Sequence, residues 1–122
     1  MSDVVLILTT VADDQQGETI ARALVEERLA ACVNVLPSMI SVYRWAGSIE
    51  RETERQLVIK TTRDRAPQVQ TRLSELHSYE LPEFLVIGVA DGSERYLEWV
   101  RQSSVGSRQS TVSSRQSTVE PD

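Results

Sequence analysis

The segment Ile49-Glu-Arg-Glu-Thr-Glu-Arg-Gln-Leu-Val-Ile-Lys-Thr-Thr62 reads as one long strand with two characters. Its later part, Leu57-Val58-Ile59, is apolar and β-branched, as a strand inside a sheet requires. Its earlier part, Glu50 to Arg55, is polar on both faces. A hairpin arm with neither face apolar has no reason to lie over its own core. It is expected to project outward, where another subunit can cover it. Ala46-Gly47 supplies the turn ahead of the arm, and Met39 to Trp45 is its other limb. Cys32 to Leu36 forms a further strand, and Pro37 breaks the chain between the two.

Outward from this hairpin the pattern repeats. Val4-Val5-Leu6-Ile7-Leu8 is a buried strand, and Thr9 to Asp14 reads as a polar turn. Asp13 or Asp14 can cap a helix that runs to about Ala30, with Ile20, Leu24, Val25, Arg28 and Leu29 along one stripe. On the other side of the hairpin, Asp64 is the expected cap of a second helix, with Pro67 in its first turn and Val69, Leu73 and Leu76 on one face. That helix ends near His77. Phe84-Leu85-Val86-Ile87 reads as another buried strand, and Gly92-Ser93 opens a short helix bearing Tyr96, Trp99 and Val100.

The order predicts an α+β, ferredoxin-like β-α-β-β-α-β unit with a short C-terminal helix. Two right-handed crossovers put both long helices on one sheet face. The other face stays bare, because the terminal helix is too short to cover four strands. Physical reasoning alone therefore asks for oligomerisation.

Composition narrows the function. A chain of 122 residues suits one domain, placed at residues 1–102. The remainder, 103–122, repeats Arg-Gln-Ser-(Ser/Thr)-Val from Arg101, Arg108 and Arg115 at a period of seven. With one apolar residue per heptad beside Ser and Thr, this tail is expected to be disordered. A net charge of -5 argues against nucleic-acid binding. No run approaches the ~20 apolar residues that span a bilayer, and no basic leader precedes Val4, so the expected compartment is the reducing cytoplasm with no membrane contact.

Candidate chemistry is sparse. The turn after the first strand has no glycine before Gly17, which excludes a phosphate loop. Cys32, the lone cysteine, reads as a small buried hydrophobe. His77, the lone histidine, can either cap its helix or join Glu80 or Glu83 on a metal ion, completed by a neighbouring chain. Glu50, Glu52 and Glu54 share one face of the arm and read as solvated or salt-bridged. Tyr43 and Trp45 share a strand face and read as interface anchors, while Tyr96 and Trp99 read as packing residues. No nucleophile–histidine–acid arrangement is recognisable, so no catalytic residue is assigned.

Five blocks then resemble the CutA divalent-cation tolerance family. They are Leu24-Val-Glu-Glu-Arg-Leu-Ala-Ala-Cys-Val-Asn-Val-Leu-Pro37, Ser41-Val-Tyr-Arg-Trp-Ala-Gly-Ser-Ile49, Leu57-Val-Ile-Lys-Thr-Thr62, His77-Ser-Tyr-Glu-Leu-Pro-Glu83 and Tyr96-Leu-Glu-Trp-Val100. The resemblance implies a ferredoxin-like subunit in a compact homotrimer whose long hairpins interlock. It implies a non-enzymatic role in tolerance of copper and other divalent ions. It carries over His77 and Glu83 as metal contacts. In such a trimer Tyr43, Trp45 and Trp99 are the expected interface residues. The trimer also looks like that of the PII signalling proteins. The alternative is thus a small-ligand-sensing or protein-interaction module without specific metal affinity. Ser78 stands where the family has proline, and Thr9 and Leu76 stand where some members have cysteine and histidine. A Cu2+ site here is accordingly expected to be weak.

Overall fold

The computed structural model describes residues 2–105. The expected disorder of the later heptads, from Gly106, lies outside the described residues. Elements run β1 (Val4–Val11), α1 (Asp14–Glu26), β2 (Cys32–Val35), β3 (Met39–Trp45) and β4 (Ser48–Thr62), then a 3-10 turn (Arg63–Arg65), α2 (Ala66–Leu76), β5 (Leu85–Gly88) and α3 (Glu94–Ser103).

The sheet order is β2-β4-β1-β5, every pairing antiparallel, which is the ferredoxin-like plan. β3 pairs with the early half of β4, from Met39 opposite Glu54 to Trp45 opposite Ser48. β2 and β3 thus follow one another along the same edge of β4, with Pro37 between them. The hairpin turn has positive φ at both central residues, 51° at Ala46 and 84° at Gly47, the backbone twist that a two-residue hairpin favours.

β1 is longer than expected. Thr9, Thr10 and Val11 are strand rather than turn, and all three are buried. They pair with Leu57, Gln56 and Arg55, so β4 extends β1 beyond its apolar run. Threonine is β-branched and suits this ladder despite its hydroxyl.

α1 begins as expected, with Asp13 accepting from the Gln16 amide at 2.9 Å. It ends at Glu26, four residues before Ala30. Arg28 adopts φ 61°, its amide bonds the Val25 carbonyl, and the Leu29 amide reaches back to the Leu24 carbonyl. This is a Schellman closure made without glycine. α2 also starts differently. Asp64 lies in the 3-10 turn, where its carboxylate accepts from the Thr62 hydroxyl, and α2 itself has no side-chain cap.

Both long helices cover one sheet face, as the crossovers demand. Ile20 and Leu24 of α1 and Val69 and Leu73 of α2 pack with Val5, Ile7, Val11, Leu57 and Ile59 in one core. α1 comes close because Gly17 has no side chain: a Cβ there would sit 3.1 Å from Val35 and 3.3 Å from Leu57.

The opposite face is only partly covered. α3, capped by Ser93, packs Leu97 and Val100 on Val4 and Ala31, with Tyr96 and Trp99 alongside. Arg101 holds Asp3 at 2.8 Å, and the Arg65 guanidinium donates to the Ser104 carbonyl at 2.7 Å. Farther down the face, Leu6 and Leu8 lie opposite Ile87 and Leu85. Leu85 is 54% and Ile87 44% exposed, so β5 is not the buried strand its sequence suggests. Cys32, expected to be buried, is only half-buried, opposite Lys60 in the β2–β4 ladder.

The folded body therefore passes the expected boundary at Gln102, because Ser104 is buried and tied to Arg65. Truncation after Gln102 removes that charged hydrogen bond and the end of α3. It is expected to cost about 1.5–3 kcal/mol relative to truncation after Val105. Denaturant midpoints of the two shortened chains would check this, and equal midpoints would contradict it.

Candidate functional site

The arm is not polar on both faces. On one face β3 sets Ile40 and Val42 beside Ile49, all well exposed, with Arg44 and Arg51 between them. The other face carries Met39, Tyr43 and Trp45 from β3 and Glu50, Glu52 and Glu54 from β4. Alternation along paired strands fixes both sets. One face is apolar and basic, the other aromatic and acidic.

A cleft of about 820 Å³ opens on the acidic face. Its far wall is the irregular chain from Tyr79 to Glu83, which follows α2 and crosses the end of β1. Tyr43, Trp45 and Tyr79 supply rings, and Glu52, Glu54, Glu80 and Glu83 supply carboxylates. No basic side chain lines it among the described residues.

A chain of hydrogen bonds builds the inner end. His77 closes α2, its amide bonding the Leu73 carbonyl at 2.8 Å. Its ring then turns to β1: Nδ1 accepts from the Tyr79 amide at 3.1 Å, so Nε2 carries the proton and donates to the Thr10 carbonyl at 2.7 Å. The His77 and Tyr79 rings lie 4.7 Å apart. The Tyr79 hydroxyl donates to Glu54 Oε2 at 2.7 Å. Burial, then this bond and the Glu54 charge, push the Tyr79 hydroxyl well above its ordinary pKa. Tyr43 is raised too, by desolvation first and then by Glu52, Glu54 and Glu50.

The two expected metal contacts flank the same end of β1. His77 binds the Thr10 carbonyl, while Glu83 Oε2 accepts from Gln56 Nε2 at 2.9 Å, and that amide also donates to the Thr9 carbonyl at 3.0 Å. Both nitrogens of His77 are thus engaged. Among the described residues no group of three or more His, Cys, Asp or Glu side chains is placed to hold a metal ion. One subunit offers two donors, and a metal on Nε2 would displace the bond to Thr10.

The expected interface residues separate. Tyr43 and Trp45 stand on the arm, 40% and 42% exposed. Trp99, on α3, packs against the cluster of Val4, Ala31, Leu97 and Val100, with its indole N–H buried and without an acceptor among the described residues. Glu54, expected to be solvated or salt-bridged, is buried at 7% exposure and accepts from the Tyr79 hydroxyl. Sequence reasoning missed this pair because 25 residues separate its members. The only signal was the alternation that sets Glu54 on the face of Tyr43 and Trp45.

This fold and arm have close counterparts. The family model described as CutA1 divalent ion tolerance protein matches residues 5–103. The chain belongs to the CutA1 family. It is 44% identical over 104 residues to the divalent-cation tolerance protein CutA of Thermus thermophilus, covering 85% of this chain and 99% of that relative. The crystal structure of CutA from Xylella fastidiosa superposes with a TM-score of 0.83 at 46% identity, covering 85% of this chain and all of that one (100%). The structure of the periplasmic divalent cation tolerance protein CutA from Archaeoglobus fulgidus gives a TM-score of 0.81 at 30% identity, over 84% of this chain and 99% of that one. The mixed α/β architecture, an antiparallel sheet with three helices, is thus the family's. CutA1 proteins are named for tolerance of divalent ions and not for an enzymatic reaction.

Proposed function

We propose that this CutA1 chain serves divalent-cation tolerance as a non-enzymatic homotrimer, binding a divalent ion such as Cu2+ weakly between subunits at His77 and Glu83. The carrying observation is the uncovered apolar sheet face of Leu85 and Ile87. A lone subunit would leave this surface in water, and association removes it. The arm supports the same reading. Its acidic, aromatic face complements its apolar, basic face, so each copy can receive the next head to tail. Such heterologous contacts close into rings when the rotation allows. Tyr43 and Trp45 are then interface anchors, and Trp99 backs the covered sheet.

Weak metal affinity follows from the donor set. Two donors make half of a tetrahedral shell, and neighbouring chains or water must supply the rest. His77 must also give up its bond to Thr10. We place the protein in the cytoplasm, where the unpaired Cys32 stays reduced. No described helix is long and apolar enough to cross a membrane.

Calorimetric titration with Cu2+ tests the metal assignment. Saturation at a defined ratio per subunit, lost in His77→Ala, is the expected result. Equal binding by His77→Ala would remove this site. The second reading, a small-ligand sensor, is favoured by the size of the cleft, which is far larger than a metal ion needs.

A further inference from the structure

We propose that a groove beside α2 seats this chain's own tail, with Val112 against its apolar wall and Arg115 on the carboxylates beyond. The groove holds about 290 Å³ between Leu29, Pro67, Gln68, Thr71, Arg72 and Glu75. That falls short of the roughly 300–1,000 Å³ of small-molecule sites and suits one or two side chains. It lies on the helix side of the sheet, away from Leu85, Ile87 and the arm, so assembly through those surfaces leaves it open.

Three observations single out the tail. First, the described chain ends beside this groove. The Arg65 guanidinium, just ahead of α2, donates to the Ser104 carbonyl at 2.7 Å. Thr71 follows Arg65 by six residues, roughly 9 Å along the helix. The seven residues from Val105 to Val112 span up to about 23 Å, so Val112 reaches the groove with slack. Second, the charges are complementary. Arg72 is shared by Glu27 and Glu75, both at 2.9 Å, which leaves two carboxylates on one cation. Residues 106–119 carry Arg108 and Arg115 and no acidic side chain. Third, the order fits. Pro67 stands near the start of α2 and Glu75 near its end, and Val112-Ser-Ser-Arg115 sets an apolar residue ahead of a cation. Val119 is followed instead by Glu120 and Asp122, which the same carboxylates repel. One valine per heptad is too little for a coiled coil but enough for one seat. Val112 supplies the affinity, since burying an aliphatic side chain outweighs an exposed ion pair, and Arg115 sets the direction. These residues lie past 5–103, the stretch matched to the family.

Full-length, assembled protein treated with limiting trypsin tests this, with cleavage after Arg115 read by mass. A seated tail shields that bond, and cleavage follows the population of the unseated form. The bond is expected to be cut about tenfold slower than in a free peptide of residues 106–122. Thr71→Arg puts bulk and positive charge into the groove and should restore the peptide's rate. Thr71 is exposed on α2, and circular dichroism shows whether the variant keeps its fold. Val112→Asp, placed outside the packed body, should act in the same way and serves if Thr71→Arg does not fold. Cleavage of the unmodified protein at the peptide's rate would overturn the proposal. Equal protection in the folded variants would overturn it too, by placing the tail elsewhere. Protection that fades on dilution would assign the groove to the tail of another copy and overturn the seat within one chain.

Discussion

Glutamate placed at both Leu85 and Ile87 is expected to turn the assembled protein into single folded chains. In one subunit these side chains are 54% and 44% exposed, so a carboxylate there meets water and leaves the core intact. They face the same way as Leu8 and Leu6, on the sheet side that α3 does not reach. If other copies cover that side, each new carboxylate is buried without a partner. Uncompensated burial of a charge costs about 3–5 kcal/mol, and every subunit of a ring carries the change. Ring assembly would then be lost at micromolar concentration. Sedimentation of the double variant reads this directly, with circular dichroism showing that the subunit still folds. A variant that keeps the assembled mass would mean that this face is not an interface.

Ile59→Ala should give the largest loss of stability from a single core change. Ile59 is fully buried, pairs with Ile7 on one side and Val33 on the other, and packs under both long helices. Truncating such a side chain leaves a cavity at the centre of the sheet, worth about 2–5 kcal/mol. Against a typical domain stability of about 5–15 kcal/mol, that is a large fraction. The denaturant midpoint should fall at fixed protein concentration while the slope of the transition stays unchanged. A shift below about 1.5 kcal/mol, the usual ceiling for a volume-conserving swap, would show that the core does not centre on this residue.

Much of this architecture is legible in the sequence, and what is not has a physical cause. Ile20, Leu24, Val69 and Leu73 sit at helical spacing, and all four are in the core. The polar run Thr9-Thr10 hid the end of β1, because its strand character comes from pairing with Gln56 and Leu57 and not from its own hydropathy. α1 stops early because Arg28 accepts a left-handed backbone that sequence rules reserve for glycine. The arm looks polar on both faces when β4 is taken without its partner strand. Its apolar face is assembled from Ile40 and Val42 of β3 beside Ile49, and only strand register brings them together. The buried pair of Glu54 and Tyr79 depends on the path of the chain after α2, which no local pattern encodes.

Legibility was greatest for the sheet face that α3 leaves bare. That inference needs only the order of the elements and the length of α3. Val4, Leu97 and Val100 show how little of the face α3 seals. Leu85 and Ile87 show what it leaves in water.

The native mass of the unmodified protein at micromolar concentration bears on this most directly. A species of three times the 13.7 kDa chain mass is the predicted result. A folded, homogeneous species at the mass of one chain would contradict it.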